Sequence, residues 1–481
     1  MTLATTVPIL GTMPADPIPA SASRDELLAL IDALQHRVAE LTAANEVLRA
    51  QLERLARQGK SQATPFSTGV RLSHPKKPGR KPGQGPFCSR SAPPAEALTG
   101  PPVAVPVTRI TCPTCGAALA PDHVEVVTVT DLPQPTPPQI TAYAVEVCRC
   151  SACGCRVRGE HPAVAPDQRG ASAHRLGSGV MAAAHWLHYG LGVPVRKVPA
   201  ILAQLGGISL TQGALTRDAM RRAAGSVAQE YEQLRQQVKA APVVHTDDTG
   251  WKVGGERAHL MAFETAEASV YQVRPQHRNE EVRELIPSDY AGTMVTDRGK
   301  SYDANELRAV KQQKCLAHLQ RSLSQAMERQ PESEQWFPRQ LKALLSEALS
   351  LWHAYHAGER TGFEQRREVL KAAVGKHLEE RTLVDADNQR LRNELGRHHE
   401  RGNLLRFLDD PTIPPTNNAA ERALRPAVIA RKVSQCSKNA RGAAAYAAFV
   451  SVLRTQAKSG SGRLIDRLSH LFQRARSPAT P

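Results

Sequence analysis

Three carboxylates stand in settings that suit metal-assisted chemistry on phosphate esters: Asp247 in VVHTDDTGW, Asp297 in GTMVTDRGKSYD and Glu421 in TNNAAERALRP. The first two close apolar, β-like runs; the third lies in a short helix-like stretch rich in Asn and Arg. Carboxylates delivered from two strands and a helix can hold paired divalent cations, Mg2+ or Mn2+, for phosphoryl transfer. Asp at a strand end is also an ordinary turn residue, so the three acids together carry the reading. On a helix, Asn418, Glu421, Arg422 and Arg425 fall at i, i+3, i+4 and i+7 and share one face. That face offers a carboxylate, an amide and two guanidiniums able to clamp phosphate. Nine Lys and Arg, including Arg431 and Lys432, lie from Arg422 to Arg463 without one acidic residue. Uncompensated positive charge of this kind is where a nucleic-acid backbone would lie. The Cys315-x-x-His318 pair lacks partners elsewhere in the sequence, and its expected role is packing or a phosphate contact.

A second chemistry comes from cysteine. TCPTCG supplies Cys112 and Cys115, and CRCSACGC supplies Cys150 and Cys153. Two CxxC pairs predict a tetrahedral, structural zinc site, since four thiolates leave no open position; a redox CxxC would need only one pair. The 34-residue gap between the pairs exceeds the compact pattern of ~15–20. It contains two β-like runs, HVEVVTVT and QITAYAVEV, read as an inserted hairpin. Cys148 and Cys155 leave the ligand set open, because either could replace a neighbour.

The elements that must position these groups divide the 481 residues into several domains, a multidomain α+β chain. Residues 1–23 have turn-forming composition and are expected to be disordered. Over 24–57, Leu27, Leu34, Leu41, Leu48 and Leu55 recur every seven residues, with Ile31, Val38, Asn45 and Leu52 in the companion seam. β-branched residues and one Asn at a, with Leu at d, predict a parallel two-stranded coiled coil and hence a dimer. The linker 58–105 carries Lys76, Lys77, Arg80 and Lys81 in HPKKPGRKPGQGPF, similar to short arms that enter the minor groove. The zinc region spans 106–165, and 171–240 reads as helical. Within the latter, VRKVPAILAQLG, GISL and TQGALTRDAMRRAA have helix–turn–helix proportions, with Thr211 as N-cap and Arg217, Arg221 and Arg222 on the second helix. Strand, hairpin, helix and strand over 241–300 predict the first part of an RNase-H-like core. The 124 residues from Asp297 to Glu421 are too many for a loop and predict a helical insertion over 301–410, followed by a catalytic helix and basic region over 411–475.

Net charge is +16, which suits a polyanionic partner. Aromatic content of 4% disfavours a single-strand stacking platform. No apolar run approaches the ~20 residues of a membrane span, and the N-terminus lacks the basic region of a signal peptide. The expected location is cytoplasmic and nucleoid-associated, where cysteines act as thiols or metal ligands.

Taken together, the zipper, the GRKPG linker, the double CxxC, DxTGW, TDRGKSY, CLAHLQR and TNNAAERALRP resemble the insertion-sequence-66 family of DDE transposases from about residue 25 to 472. The resemblance implies that Asp247, Asp297 and Glu421 form a DDE triad using Mg2+. It further implies binding to an element's terminal repeats, cleavage, and joining of 3′ ends to target DNA, as a dimer or larger, with companion proteins of the element. Members of the family usually carry Glu where this chain has Asp248, so Asp247 and Asp248 both stand as candidates for the first ligand; Asp247 is preferred. Two other readings are an RNase-H-like nuclease or resolvase that cuts without joining, and a catalytically dead, dimeric, zinc-containing DNA-binding regulator.

Overall fold

The computed structural model describes residues 35–38, 40–42, 45, 93–98, 100–130, 137–164, 168–170, 173–434, 436–460 and 462–474. Of the zipper positions, Leu41 and Asn45 are described and helical; Leu27, Leu34, Leu48 and Leu55 lie outside the described residues, as do Lys76, Lys77, Arg80 and Lys81. The chain forms two units, residues 1–130 and 131–481. No described helix is long and apolar enough to cross a membrane.

In the first unit Cys112 opens a tight turn. Its N–H donates to the Ala117 carbonyl at 2.8 Å, and the Gly116 N–H returns to the Cys112 carbonyl at 2.9 Å. Gly116 sits at φ 74°, which a residue with a Cβ adopts only with strain. The run 123–130, expected as half of a hairpin, carries no strand among the described residues, and its valines are exposed. Alternation alone does not make a strand where no ladder pairs the backbone.

The second unit begins with β1 (Val147–Arg149) and β2 (Arg156–Arg158), an antiparallel pair around Cys150–Cys155. Helices α1 (Ser178–His185), α2 (Val198–Gly206), α3 (Gln212–Ala223) and α4 (Ser226–Ala240) follow. The α2–α3 turn has the expected proportions: Gly207 ends α2 at φ 61°, and the Thr211 hydroxyl accepts the Ala214 N–H at 3.2 Å.

Five strands then form one mixed sheet in the order β5-β4-β3-β6-β7. They are β3 (Val243–Val253), β4 (Glu256–Glu264), β5 (Ser269–Arg274), β6 (Thr293–Thr296) and β7 (Lys311–Lys314), with α5 (Asn279–Arg283) between β5 and β6. β3, β4 and β5 are antiparallel neighbours; β3, β6 and β7 run parallel. The sheet agrees with the strand–hairpin–helix–strand order read from the sequence. β7 does not: KQQK falls in a block expected to be all helical. Its Gln312, Gln313 and Lys314 are buried. The Gln313 amide donates to the Leu404 and Lys314 carbonyls, and that of Gln312 to the Tyr302 carbonyl. Buried amide N–H groups satisfied this way lower the cost of burial, so a polar segment can occupy a sheet position.

Helices α6 (Leu316–Arg329), α7 (Trp336–His356), α8 (Phe363–Leu378), α9 (Ala386–Glu400) and α10 (Arg406–Asp409) follow β7. The chain closes with α11 (Asn418–Ser434), α12 (Ala440–Lys458) and α13 (Leu464–Arg474). Strand alternation sorts the sheet into two faces. Val244, Met261, Phe263 and Met294 face a core shared with α1–α4, α12 and α13. On the other face Val295 and Val243 meet the α6–α10 block, while Trp251, Ala258, Leu260 and Ala262 meet α11 and α12. α12 also closes the β5 edge: the Ser451 hydroxyl accepts the Tyr271 N–H at 2.8 Å, and the Thr455 hydroxyl accepts that of Ser269 at 2.9 Å. Ser451→Ala strands a buried N–H and is expected to cost about 1–3 kcal/mol in urea unfolding. An unchanged midpoint would show that another group reaches that N–H.

Candidate active site at the ends of the parallel strands

β3 pairs with β6 only through 243–245 against 293–295, and β6 with β7 through 293–296 against 311–314. Counting on from that register, Asp247 and Asp297 stand level just beyond the paired region, and Cys315 stands level with Asp297 on the third strand. From sequence, β3 is expected to end at its acids. Instead the ladder with β4 carries β3 on to Val253, so Asp247 sits in mid-strand with only its β6 side open. A gap between parallel strands at their carboxyl ends is where ligands enter sheets of this kind.

Alternation separates the two neighbouring aspartates. Asp247 shares a face with Val243, His245 and Trp251, the face on which α11 packs. Asp248 points to the other face. There its Oδ2 lies 2.7 Å from Nδ1 of His259 and its Oδ1 lies 2.9 Å from Nδ1 of His277. Burial opposes ionisation of Asp248, but the bonds to His277 and His259 hold its carboxyl below the usual range. Asp247 behaves oppositely. Burial and the nearby Asp297 and Asp248 carboxylates push it up to about 6, against a 2.9 Å hydrogen bond from the Asp248 N–H. Asp297 Oδ1 accepts the Gly299 N–H at 2.8 Å. The next residue, Arg298, donates to Glu394 at 2.9 Å and Ser322 at 2.6 Å, tying the Asp297 loop to α9 and α6.

Glu421 arrives from the first turn of α11. Asn417 anchors that turn: its amide donates to the Thr246 carbonyl at 2.8 Å, and its backbone N–H points at Cys315 Sγ, 3.2 Å away. Asn417 is fully buried, whereas the nominated Asn418 is exposed. Sequence reasoning missed this residue because the doubled Asn gave no sign of which one faces inward. Leu424 and Ala427 hold the helix against Leu260 and Ala262.

The structure corrects the reading of Cys315 and His318. The pair does have a partner: His318 Nε2 lies 3.8 Å from Glu421 Oε1, and donor atoms of Cys315, His318 and Glu421 fall within 4.8 Å of one another. The Cys315 sulfur raises the His318 pKa.

The nominated phosphate contacts separate. Arg217, Arg422, Arg425 and Lys432 are exposed. Arg221 pairs with Asp218, and Arg222 is buried against Asp218 and the Phe472 carbonyl. Arg431 donates to Thr249 Oγ1 at 3.2 Å and to the Gly250 carbonyl, so it braces β3. Lys458, in the acid-free run, meets a carboxylate from elsewhere in the chain, Glu264, at 2.6 Å. In the second unit Cys150 repeats the Cys112 turn, with Cys150 N–H to Cys155 carbonyl at 2.8 Å, Gly154 N–H to Cys150 carbonyl at 2.9 Å, and Gly154 at φ 70°.

The family model described as "Transposase IS66 family" matches residues 174–445, more than half of the chain. The chain belongs to this family. No curated protein matches it. The matched span of this IS66-family transposase begins just before α1 and ends within α12, so it includes the whole sheet, the helical block and Glu421.

Proposed function

We propose that the chain is a DNA transposase whose Asp247, Asp297 and Glu421 form the reaction centre, built on an RNase-H-like core. The observation that carries this is the placement of Asp247 and Asp297 at one level on adjacent parallel strands, with Glu421 delivered to the same face by α11. The donor set fits hard divalent cations. All three groups are carboxylates, and burial and neighbouring acids raise the Asp247 pKa, a cost of ionisation that a nearby cation relieves. When bound there, Mg2+ or Mn2+ supplies activation of the attacking oxygen and charge neutralisation at the leaving oxygen. The chain's own part is to fix the carboxylates and the DNA: Asn417 sets the start of α11, Arg298 holds the Asp297 loop, and exposed Arg422 and Arg425 face the phosphates. Hydrolysis at element ends, then in-line attack of the freed 3′ oxygen on target DNA, needs no covalent protein intermediate. The deciding experiment is strand cleavage and joining with purified protein, Mg2+ and labelled DNA from the ends flanking its gene, with any companion proteins added. Joined products support the reading. Cleavage without joining would point to a nuclease or resolvase, and binding alone to a regulator.

The same reading gives the cysteine turns a structural role as zinc knuckles. In each turn backbone N–H groups point at the first sulfur: those of Thr114 and Cys115 lower the Cys112 pKa, and those of Cys153 and Ala152 lower that of Cys150. Thiols made easier to ionise this way suit Zn2+, with Cys115 and Cys153 as the second ligands of their pairs. Elemental analysis is expected to find about one zinc per chain, lost on Cys112→Ser; a folded protein free of zinc would refute the assignment.

A further inference from the structure

Three to five residues beyond Asp247, the segment Gly250–Lys252 of β3 becomes one wall of a groove of about 1460 Å³. Five cations line it, Arg196, Lys252, Arg257, Arg431 and Lys438, and no acidic residue does. They come from the loop before α2, from β3, from β4, from the end of α11 and from the turn that follows it. Arg196, Lys252, Arg257 and Lys438 are exposed, and none pairs with a carboxylate among the described residues.

The walls are built rather than incidental. Ser437 forms a parallel bridge with Val253; its N–H donates to the Lys252 carbonyl at 3.1 Å, and its carbonyl accepts the Gly254 N–H at 3.0 Å. Trp251 Nε1 donates to Ser437 Oγ at 3.2 Å. The lip between β3 and β4 is the pair Gly254–Gly255, at φ 62° and 94°, so the turn is tight and carries no side chain. His259, bonded to Asp248 on the face of β3 opposite Asp247, also lines the groove.

Five like charges lining one groove suit a ligand with repeated negative charge. At ~3.4 Å per strand residue, the groove begins roughly 10–17 Å from Asp247, equal to about three to five base pairs of duplex. We propose that it is a phosphate track for DNA about three to five base pairs from the bond being cut. This rests on the transposase reading above and adds a binding site to it.

The test uses the full chain and a labelled random-sequence duplex, with affinity measured against salt. Lys252→Ala combined with Lys438→Ala is expected to flatten the log–log salt slope by about 1.8, ~0.9 for each phosphate that is no longer neutralised. The matching double Lys→Arg variant should keep the wild-type slope. On element-end substrates, trimming the flank back to the cut bond should weaken wild-type binding but not that of the double Ala variant. An unchanged slope, the same flattening in the Arg pair, or equal loss on trimming in both proteins would overturn the proposal. So would polyglutamate displacing DNA as well as competitor duplex does, which would assign the groove to an acidic protein segment. A flattened slope in a protein that never cleaves DNA would keep the groove and remove the transposase chemistry instead.

Discussion

Glu421→Gln is expected to lower strand cleavage by more than about 100-fold, beyond the ~10–100-fold that accompanies loss of a group supporting a metal ligand. Binding of element-end DNA should stay close to wild type. The substitution keeps size and helix propensity and removes only the charge. The packing that seats α11, Leu424 and Ala427 against Leu260 and Ala262, lies one and two turns further on and is untouched. The His318 contact at 3.8 Å is long enough that an amide can occupy the same place. Labelled substrate in a gel assay reads both quantities at once. If binding fell as far as cleavage, Glu421 would be a structural residue and the triad would need another third member.

The second large effect separates neighbours in sequence. Asp247→Asn is expected to remove cleavage as completely as the Glu421 change, whereas Asp248→Asn should keep activity within about tenfold, the low end for a supporting residue. The reason is the alternation of β3. Asp247 faces Asp297 and α11, while Asp248 is committed at 2.7 and 2.9 Å to two histidines on the opposite face. Some loss is still expected, because His277 Nε2 lies 3.2 Å from Ser301 Oγ, in the segment just after Asp297. Cleavage rates of both variants, checked for fold by circular dichroism, decide the matter. An inactive Asp248 variant beside an active Asp247 variant would reverse the assignment.

Much of the second unit's sheet and candidate site is legible in the residues. The β4–β5 hairpin announces itself by alternation around a turn, and Thr211 and Gly207 mark the ends of the α2–α3 turn by residue type alone. What escapes is set by partners far along the chain. KQQK looks like surface because its amides are satisfied by carbonyls such as that of Leu404, 91 residues away. Asn417 and Asn418 are indistinguishable until Thr246, 171 residues earlier, selects one of them. Cys315 and His318 look isolated for the same reason, their neighbour Glu421 being contributed by a helix about a hundred residues later.

The closure of β5 has a consequence for the chain as it is made. Ser451, which covers the Tyr271 N–H, follows it by 180 residues. At roughly 5–20 residues per second, that strand waits about 9–36 s with its edge unpaired during synthesis. Glu421 emerges within the same interval, so a partial product that has completed β3 and β6 but not yet α11 carries an open sheet edge and lacks Glu421. On the proposed triad, nascent chains that stop short of α11 lack the third carboxylate, and the β5 edge stays open to other strands until α12 folds back over the sheet.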